Sequence, residues 1–271
     1  MSQRLDLSSS DHDAGEVEDD IRDTSETGSE ADQARAGRNL THGMLDALGR
    51  AIVTGAFKGK VFPTESDLAH TYDVSRSVTR EATKMLSAKG LLTARPRQGT
   101  SIQPEASWNL FDTDVLRWLL EREFSLELLS HFTQLRVAIE PMAAELAARN
   151  ASPQGLALID AAYRRMEAAE QGKDDGLLAD IAFHVSILEA SNNPFYAQFR
   201  DVVGTALKKS IVFTNRFAGR QASLPAHKAV MDAIKAGDTA NSHATMSMIV
   251  REVMLLIDEA GREGERIAHE L

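Results

Sequence analysis

The sequence predicts a mainly α-helical protein in two parts: three short helices closed by a β-hairpin, then an antiparallel α-helical bundle. Three observations lead there. Apolar residues recur at helical spacing from residue 44 almost to the C-terminus. A single pair of short strand-like runs lies at 91–103, around a Gly-containing tip. The sign of the charge changes around the segment that holds the first helices and the hairpin.

The 271 residues carry a formal charge of −10, which taken whole argues against nucleic acid. Divided along the chain it does not. Residues 1–38 hold four Lys/Arg against eleven Asp/Glu (net −7), residues 39–103 nine against five (net +4), and residues 104–271 seventeen against twenty-four (net −7). The acidity sits at the two ends, and a basic module lies between them. Hydrophobic residues make up 43% and charged residues 26%, the balance of a globular chain. There are no cysteines, which excludes disulfides, a thiol nucleophile and Cys-based metal sites. No apolar run approaches the ~18 residues of a membrane span, and no signal-peptide core is present, so a cytoplasmic protein with no membrane partner is expected.

The elements follow in order. Residues 1–38 are rich in Asp, Glu, Ser and Gly, have no aromatics, and are read as a disordered acidic tail. A first helix over Leu40–Phe57 has apolar positions 44, 45, 48, 51, 52 and 53. Pro63-Thr64-Glu65-Ser66-Asp67 opens a short second helix, with Thr64 as N-cap and Asp67 closing a capping box. Ser75 caps a third helix that runs to about Lys89 and stops at Gly90. Leu91–Ala94 and Thr100–Gln103 form a hairpin around Arg95-Pro96-Arg97-Gln98-Gly99. A linker at 104–114 carries Trp108. Helices are predicted at 113–122, 125–150, 153–171, 174–191, 194–218, 225–236 and 238–267, broken at Ser152-Pro153, Gly172, Asn192-Asn193-Pro194, Pro225 and Gly237-Asp238. The domains expected are therefore a three-helix-and-hairpin module at 39–103, a linker at 104–114 and an all-helical unit at 115–271.

Three helices and a basic hairpin make a winged helix-turn-helix layout. Arg76 and Arg80, one turn apart near the start of the third helix, project from one face and can pair bidentately with guanine. Ser77 and Thr79 can reach phosphate or base edges. Val78, Ala82, Met85 and Leu86 form the opposite, packing stripe. Arg95 and Arg97 in the wing can hold phosphates, and Gly99 lets its tip approach the DNA backbone. In the bundle, Asp180 and His184 share a helical face at a spacing that can hold a divalent cation or form a plain hydrogen bond. Lys208, Lys209 and Asn215 follow on a later helix, where exposure to solvent is the default.

The residues Asp73-Val74-Ser75-Arg76-Ser77-Val78-Thr79-Arg80-Glu81-Ala82, with the wing Arg95-Pro96-Arg97-Gln98-Gly99-Thr100, resemble the GntR family of bacterial transcriptional regulators. The helical block resembles its FadR subfamily, with an FCD ligand-sensing domain. The stretches Gln103-Pro104-Glu105, Trp108-Asn109-Leu110 and Asp114-Val115-Leu116-Arg117-Trp118 are similar to the galactonate-operon type of repressor. The resemblance implies that Arg76 and Arg80 contact operator bases and that Gln98 and Gly99 reach the minor groove. Many members carry an arginine in the second helix where this chain has Ser66. In the FCD domain it implies metal ligation by an Asp-x-x-x-His pair and two later histidines. Asp180, His184 and His227 match the first three positions, and Ile249, which cannot ligate, stands at the fourth. His243 lies roughly 240° around the helix from that position. The metal identity stays open among zinc, nickel, manganese and iron. Asp180, His184 and His227 can alternatively bind the effector directly. Arg136 matches an arginine that helps bind an acidic effector, with Glu140 at i+4 offering an intrahelical ion pair instead.

The function implied is a DNA-binding regulator, most simply a repressor and not an enzyme. It would work as a homodimer on a double-stranded operator, controlled by a small carboxylate such as a sugar acid. The alternative is a helical metal-dependent enzyme acting on a small organic acid, which leaves the basic wing unexplained.

Overall fold

A computed structural model describes residues 25–95, 99–122, 125–218 and 223–269, with side chains described over 39–95, 99–122, 125–213 and 223–262. The element order is α1 (Ser25–Val53), α2 (Glu65–Thr71), α3 (Arg76–Ala88), β1 (Leu92–Arg95) and β2 (Gly99–Ile102). These are followed by a short 3-10 turn (Glu105–Ser107), α4 (Thr113–Glu121), α5 (Leu126–Asn150), α6 (Pro153–Glu170), α7 (Gly176–Ala190), α8 (Pro194–Gln198), α9 (Arg200–Ala218), α10 (Leu224–Lys235) and α11 (Thr239–His269). It is a mainly α protein with a winged helix-turn-helix unit and a helical bundle, as the periodicity requires.

Local signals set the helix starts. Thr64 accepts from the Asp67 backbone N–H while Asp67 accepts from the Thr64 N–H, a reciprocal capping box. Ser75 caps α3 through Val78, Ser152 caps α6, Asp175 caps α7 and Asn193 caps α8. The wing strands pair antiparallel, Leu92 opposite Ile102 and Arg95 opposite Gly99. Gly90 ends α3 at φ +81°, and the Ser107 carbonyl passes so close that a Cβ there would lie 2.2 Å from it.

Three expectations are corrected. Helix α1 begins at Ser25, inside the segment read as a disordered tail; residues 1–24 of that segment lie outside the described residues. The tail composition argued against a buried core, which is a different matter from helicity. Once a helix is nucleated on buried Met44, Leu45 and Leu48, each added residue gains a backbone hydrogen bond, and Ala, Gln, Glu and Arg allow it to propagate. The run expected as one helix at 194–218 is interrupted at Phe199, whose N–H bonds the Tyr196 carbonyl three residues back. The third correction concerns the linker and α4.

There are two hydrophobic cores. One lies inside the bundle, around Phe183, Ile187, Leu188, Leu207, Ile234 and Met246. The other lies in the winged unit, around Leu48, Leu68, Leu86 and Leu91, and it also contains Trp108, Val115, Trp118 and Leu119. The residues read as a linker are thus packed, and α4, read as the first bundle helix, fills the winged unit's core with one face while Leu116 joins the bundle core. Gly49 on α1 makes this possible: the six-membered edge of the fully buried Trp118 ring lies where a Gly49 side chain would be, 2.2 Å from an ideal Cβ. Asp46 on α1 accepts from Trp118 Nε1 at 2.8 Å and from Arg117 at 2.7 Å. These partners outweigh the opposing effect of burial and hold the Asp46 carboxyl down at about 2. Lys89, at the end of α3, donates to Asp112 at 2.7 Å and Asp114 at 2.9 Å at the start of α4.

Gly49→Ala should therefore destabilise the chain by about 1–3 kcal/mol, the cost of overpacking a rigid contact. Gly43→Ala, one helix face away with nothing within 4 Å, should leave stability unchanged or raise it. Urea unfolding of the two variants measures the contrast.

Candidate functional site

Helix α7 carries Asp180 and His184 one turn apart, and α10 presents His227 to the same point inside the bundle. All three side chains are buried. Their nearest donor atoms lie within 4.8 Å of one another. His184 Nε2 is 3.5 Å and His227 Nε2 3.1 Å from Asp180 Oδ1. Phe183 stands edge-on to both rings, with centroids 6.0 Å from His184 and 5.1 Å from His227, and fixes their tilt.

The outer nitrogens decide what the inner ones can do. His227 Nδ1 lies 2.8 Å from the Ser223 carbonyl, which can only accept, so Nδ1 carries the proton. His184 Nδ1 lies 2.6 Å from Glu140 Oε2, a carboxylate, so it donates too. In the neutral imidazoles both Nε2 atoms then present lone pairs toward the Asp180 carboxylate. Three acceptors face one another in a buried space, and Asp180 Oδ1 and His227 Nε2 have no hydrogen-bond partner. Such a constellation calls for positive charge at its centre, a proton or a metal ion. The residues fit a metal: two imidazole nitrogens and one carboxylate oxygen converge, and each histidine is oriented from behind by a second group.

Without a metal ion the electrostatics favour a proton at that centre. Burial alone would raise the Asp180 carboxyl, but His184 and His227 beside it hold it well below the usual carboxylate range. Burial would lower His184, yet Glu140 and Asp180 push it up to about 9. Glu140 is held down to about 2 against its own burial, by Arg136 and His184.

Arg136 and Glu140 form the outer layer of this site. Arg136 Nε donates to Glu140 Oε1 at 2.6 Å and its Nη2 to Oε2 at 3.3 Å, with both side chains at most 2% exposed. The guanidinium thus supports His184 through Glu140, and of the two partners weighed for Arg136 the structure holds the intrahelical one. Sequence reasoning treated Glu140 only as a partner for Arg136. The i,i+4 spacing was visible, but its second hydrogen bond, to a residue on another helix, was not. Ile249 packs in the bundle core and supplies no ligand atom. His243 lies apart, near Glu145 at 3.4 Å.

In the winged unit, Arg76, Ser77 and Arg80 are exposed on α3. Arg76 Nη2 donates to Ser66 Oγ at 3.2 Å, and Arg80 Nε lies 3.4 Å from Glu65 Oε2. Both arginines are thus steadied by the start of α2, through exposed contacts that phosphate or base can displace at little cost. Thr79 is corrected: it is fully buried and its hydroxyl donates to the Ser75 carbonyl, so it packs α3 against the unit and does not face outward. Thr79 shares a helical stripe with Ala82, Thr83 and Leu86, three, four and seven residues on, all of them buried. Arg95 and Gly99 are exposed at the wing, Gly99 at φ +81°. Arg97 and Gln98 lie outside the described residues.

Residues 41–102 match the family model described as bacterial regulatory proteins, gntR family, and residues 131–252 match the FCD domain. The galactonate operon transcriptional repressor of Escherichia coli K12 is 33% identical over 217 residues, covering 78% of this chain and 94% of that protein. The chain belongs to the GntR family. Its FCD domain places it with the FadR-like regulators, and it is a transcriptional regulator by that membership. Another relative, the HTH-type transcriptional regulator LutR of Bacillus subtilis 168, is 28% identical, covering 66% of this chain and 83% of that protein. The solved structure of Lar, described as controlling the expression of the Listeria monocytogenes agr system, matches with a TM-score of 0.50 and 16% identity over 81% of this chain and 97% of that one; the likeness is one of fold. The alternative of a metal-dependent enzyme gains no support from these relatives. Among the described residues no helix is long and apolar enough to cross a membrane.

Glu140→Gln should lower stability by about 3–5 kcal/mol, because it leaves Arg136 charged and buried without its counter-ion. The wild-type Glu140 is depressed from 4.5 to about 2, so its stabilisation is complete above the unfolded value and is lost as pH falls through that window. Acid unfolding of the variant should lack that part of the slope.

Proposed function

We propose that this GntR regulator binds its operator as a homodimer, with Arg76 and Arg80 of α3 reading bases in successive major grooves and Ser77, Arg95, Arg97, Gln98 and Gly99 holding the backbone and the minor groove. The observation that carries this is the exposed Arg76/Arg80 pair on a helix capped by Ser75, within a unit of net charge +4. The acidic flanks repel the duplex, so affinity rests on these few contacts and falls steeply with salt.

The bundle is the sensor. Asp180, His184 and His227 would hold one divalent cation, zinc, nickel, manganese or iron, and Ile249, at the position of the family's fourth ligand, would supply no donor atom. Such a cation would provide a Lewis-acidic anchor for a small carboxylate. The name of the Escherichia coli relative suggests a sugar acid such as galactonate. Glu140 and the Ser223 carbonyl hold the two imidazoles in the ligating tautomer, and Arg136 holds Glu140. Effector binding then shifts the operator-binding equilibrium by its differential affinity for the two dimer geometries, and repression relieved by effector is the mode this favours.

Arg76→Ala combined with Arg80→Ala should abolish the gel shift of the gene's own promoter fragment while circular dichroism stays unchanged; retained binding would refute the DNA-reading assignment. For the cation, elemental analysis of purified wild-type protein should find about one equivalent, lost in His227→Ala. That variant leaves the Arg136–Glu140–His184 chain intact, so equal metal content in both proteins would remove the site.

A further inference from the structure

We infer that the cleft between α4, α7 and α9 is a second ligand site, separate from the cation site, that takes an organic anion with an apolar body. The cleft encloses about 690 Å³, the size of a small-molecule pocket. Its apolar lining comes from three helices: Leu120 of α4, and Leu178, Ile181 and Val185 of α7, facing Gly204 of α9. Ile181 and Val185 directly follow Asp180 and His184 in the chain, so α7 presents the cation ligands to the bundle interior from one flank and the cleft wall from the next.

Most of the charge around the cleft is paired. Arg117 lies against Asp46 and Asp114, and Glu121 against Arg50 and Arg117. Arg200 lies 3.6 Å from Asp201 and 3.8 Å from Glu189. Lys208 and Lys209 line the same cleft from the next turn of α9, and no partner for either is found among the described residues. Two exposed ammonium groups without a carboxylate partner among the described residues, set beside an apolar wall, are complementary to an amphipathic anion.

Gly204 is the second, independent observation. It sits within α9, where glycine weakens a helix relative to alanine. Packing inside the chain does not demand it: a Cβ would meet Ile181 at 3.7 Å and Val185 at 3.9 Å, both ordinary contacts. What the missing side chain does provide is depth, because a longer residue would project into the cleft. An occupant here would touch Leu120 and Arg117 of α4, whose other face lies in the core of the DNA-reading unit, so the site reaches the reader without passing through the cation.

The probe is anilinonaphthalene sulfonate, an aromatic body with one anionic group, titrated into the full-length protein. Dye emission is read on tryptophan excitation, since both tryptophans, Trp108 and Trp118, are in the segment around α4. Saturable binding is expected at about one dye per chain. Lys208→Glu with Lys209→Glu should weaken it at least tenfold, Gly204→Leu should do the same, and His227→Ala should leave it unchanged. Equal binding in the wild type and the lysine variant would overturn the inference, and that surface variant decides the matter even if Gly204→Leu fails to fold. Sedimentation of Gly204→Leu is run alongside. A change from dimer to monomer would show that the cleft faces a second copy of the chain, which also overturns it.

Discussion

The contact on which the rest of the molecule depends is the Trp118 ring laid against Gly49. A bundle and a winged unit joined by a free linker could not pass strain from one to the other. Here the ring of a bundle-side helix fills the core of the DNA-reading unit, its indole N–H is held by Asp46, and the next residue, Arg117, shares the same carboxylate. Lys89 ties the end of the recognition helix to the start of α4 through two carboxylates. Because packed interiors resist small displacements, a shift of α4 must be felt at α1 and α3.

The second constraint is electrostatic. Arg136, Glu140, His184, Asp180 and His227 form a continuous buried chain in which each polar group lies against the next. Such a chain is costly to bury and is destabilising if any member is missing, so its value lies in holding two imidazoles in one tautomer and one orientation. The lone pairs it leaves converging on Asp180 are of the kind that a cation or a proton at that point would satisfy. The start of α3 is built the opposite way. Arg76 and Arg80 are exposed and only loosely held by Ser66 and Glu65, which suits the exchange of partners that the proposed DNA contacts require.

Much of this was legible in the chain. Caps at Thr64 and Ser75, and breaks at Gly90, Ser152-Pro153, Gly172, Asn192-Asn193-Pro194 and Gly237-Asp238, are local signals, and a helix starts or stops at each of them. The face shared by Arg76 and Arg80 follows from helical spacing, as does that of Asp180 and His184. Thr79 shows the limit: a polar residue between two exposed arginines reads as another surface contact, but its angular position turns it into the core. The start of α1 was missed because composition speaks to burial and not to the propagation of a helix already nucleated.

What the sequence by itself determined is the set of elements, their chemistry and the family, because these depend on neighbours within a turn or two and on motifs of fixed spacing. What only the tertiary structure decided is which residues meet. His227 joins Asp180 from a helix more than forty residues away, Glu140 reaches His184 across α5 and α7, Arg136 turns inward to Glu140, and α4 is divided between two cores. Those contacts are set by how helices stack and by the space a single glycine leaves for a tryptophan, and neither is written in the local pattern of either partner.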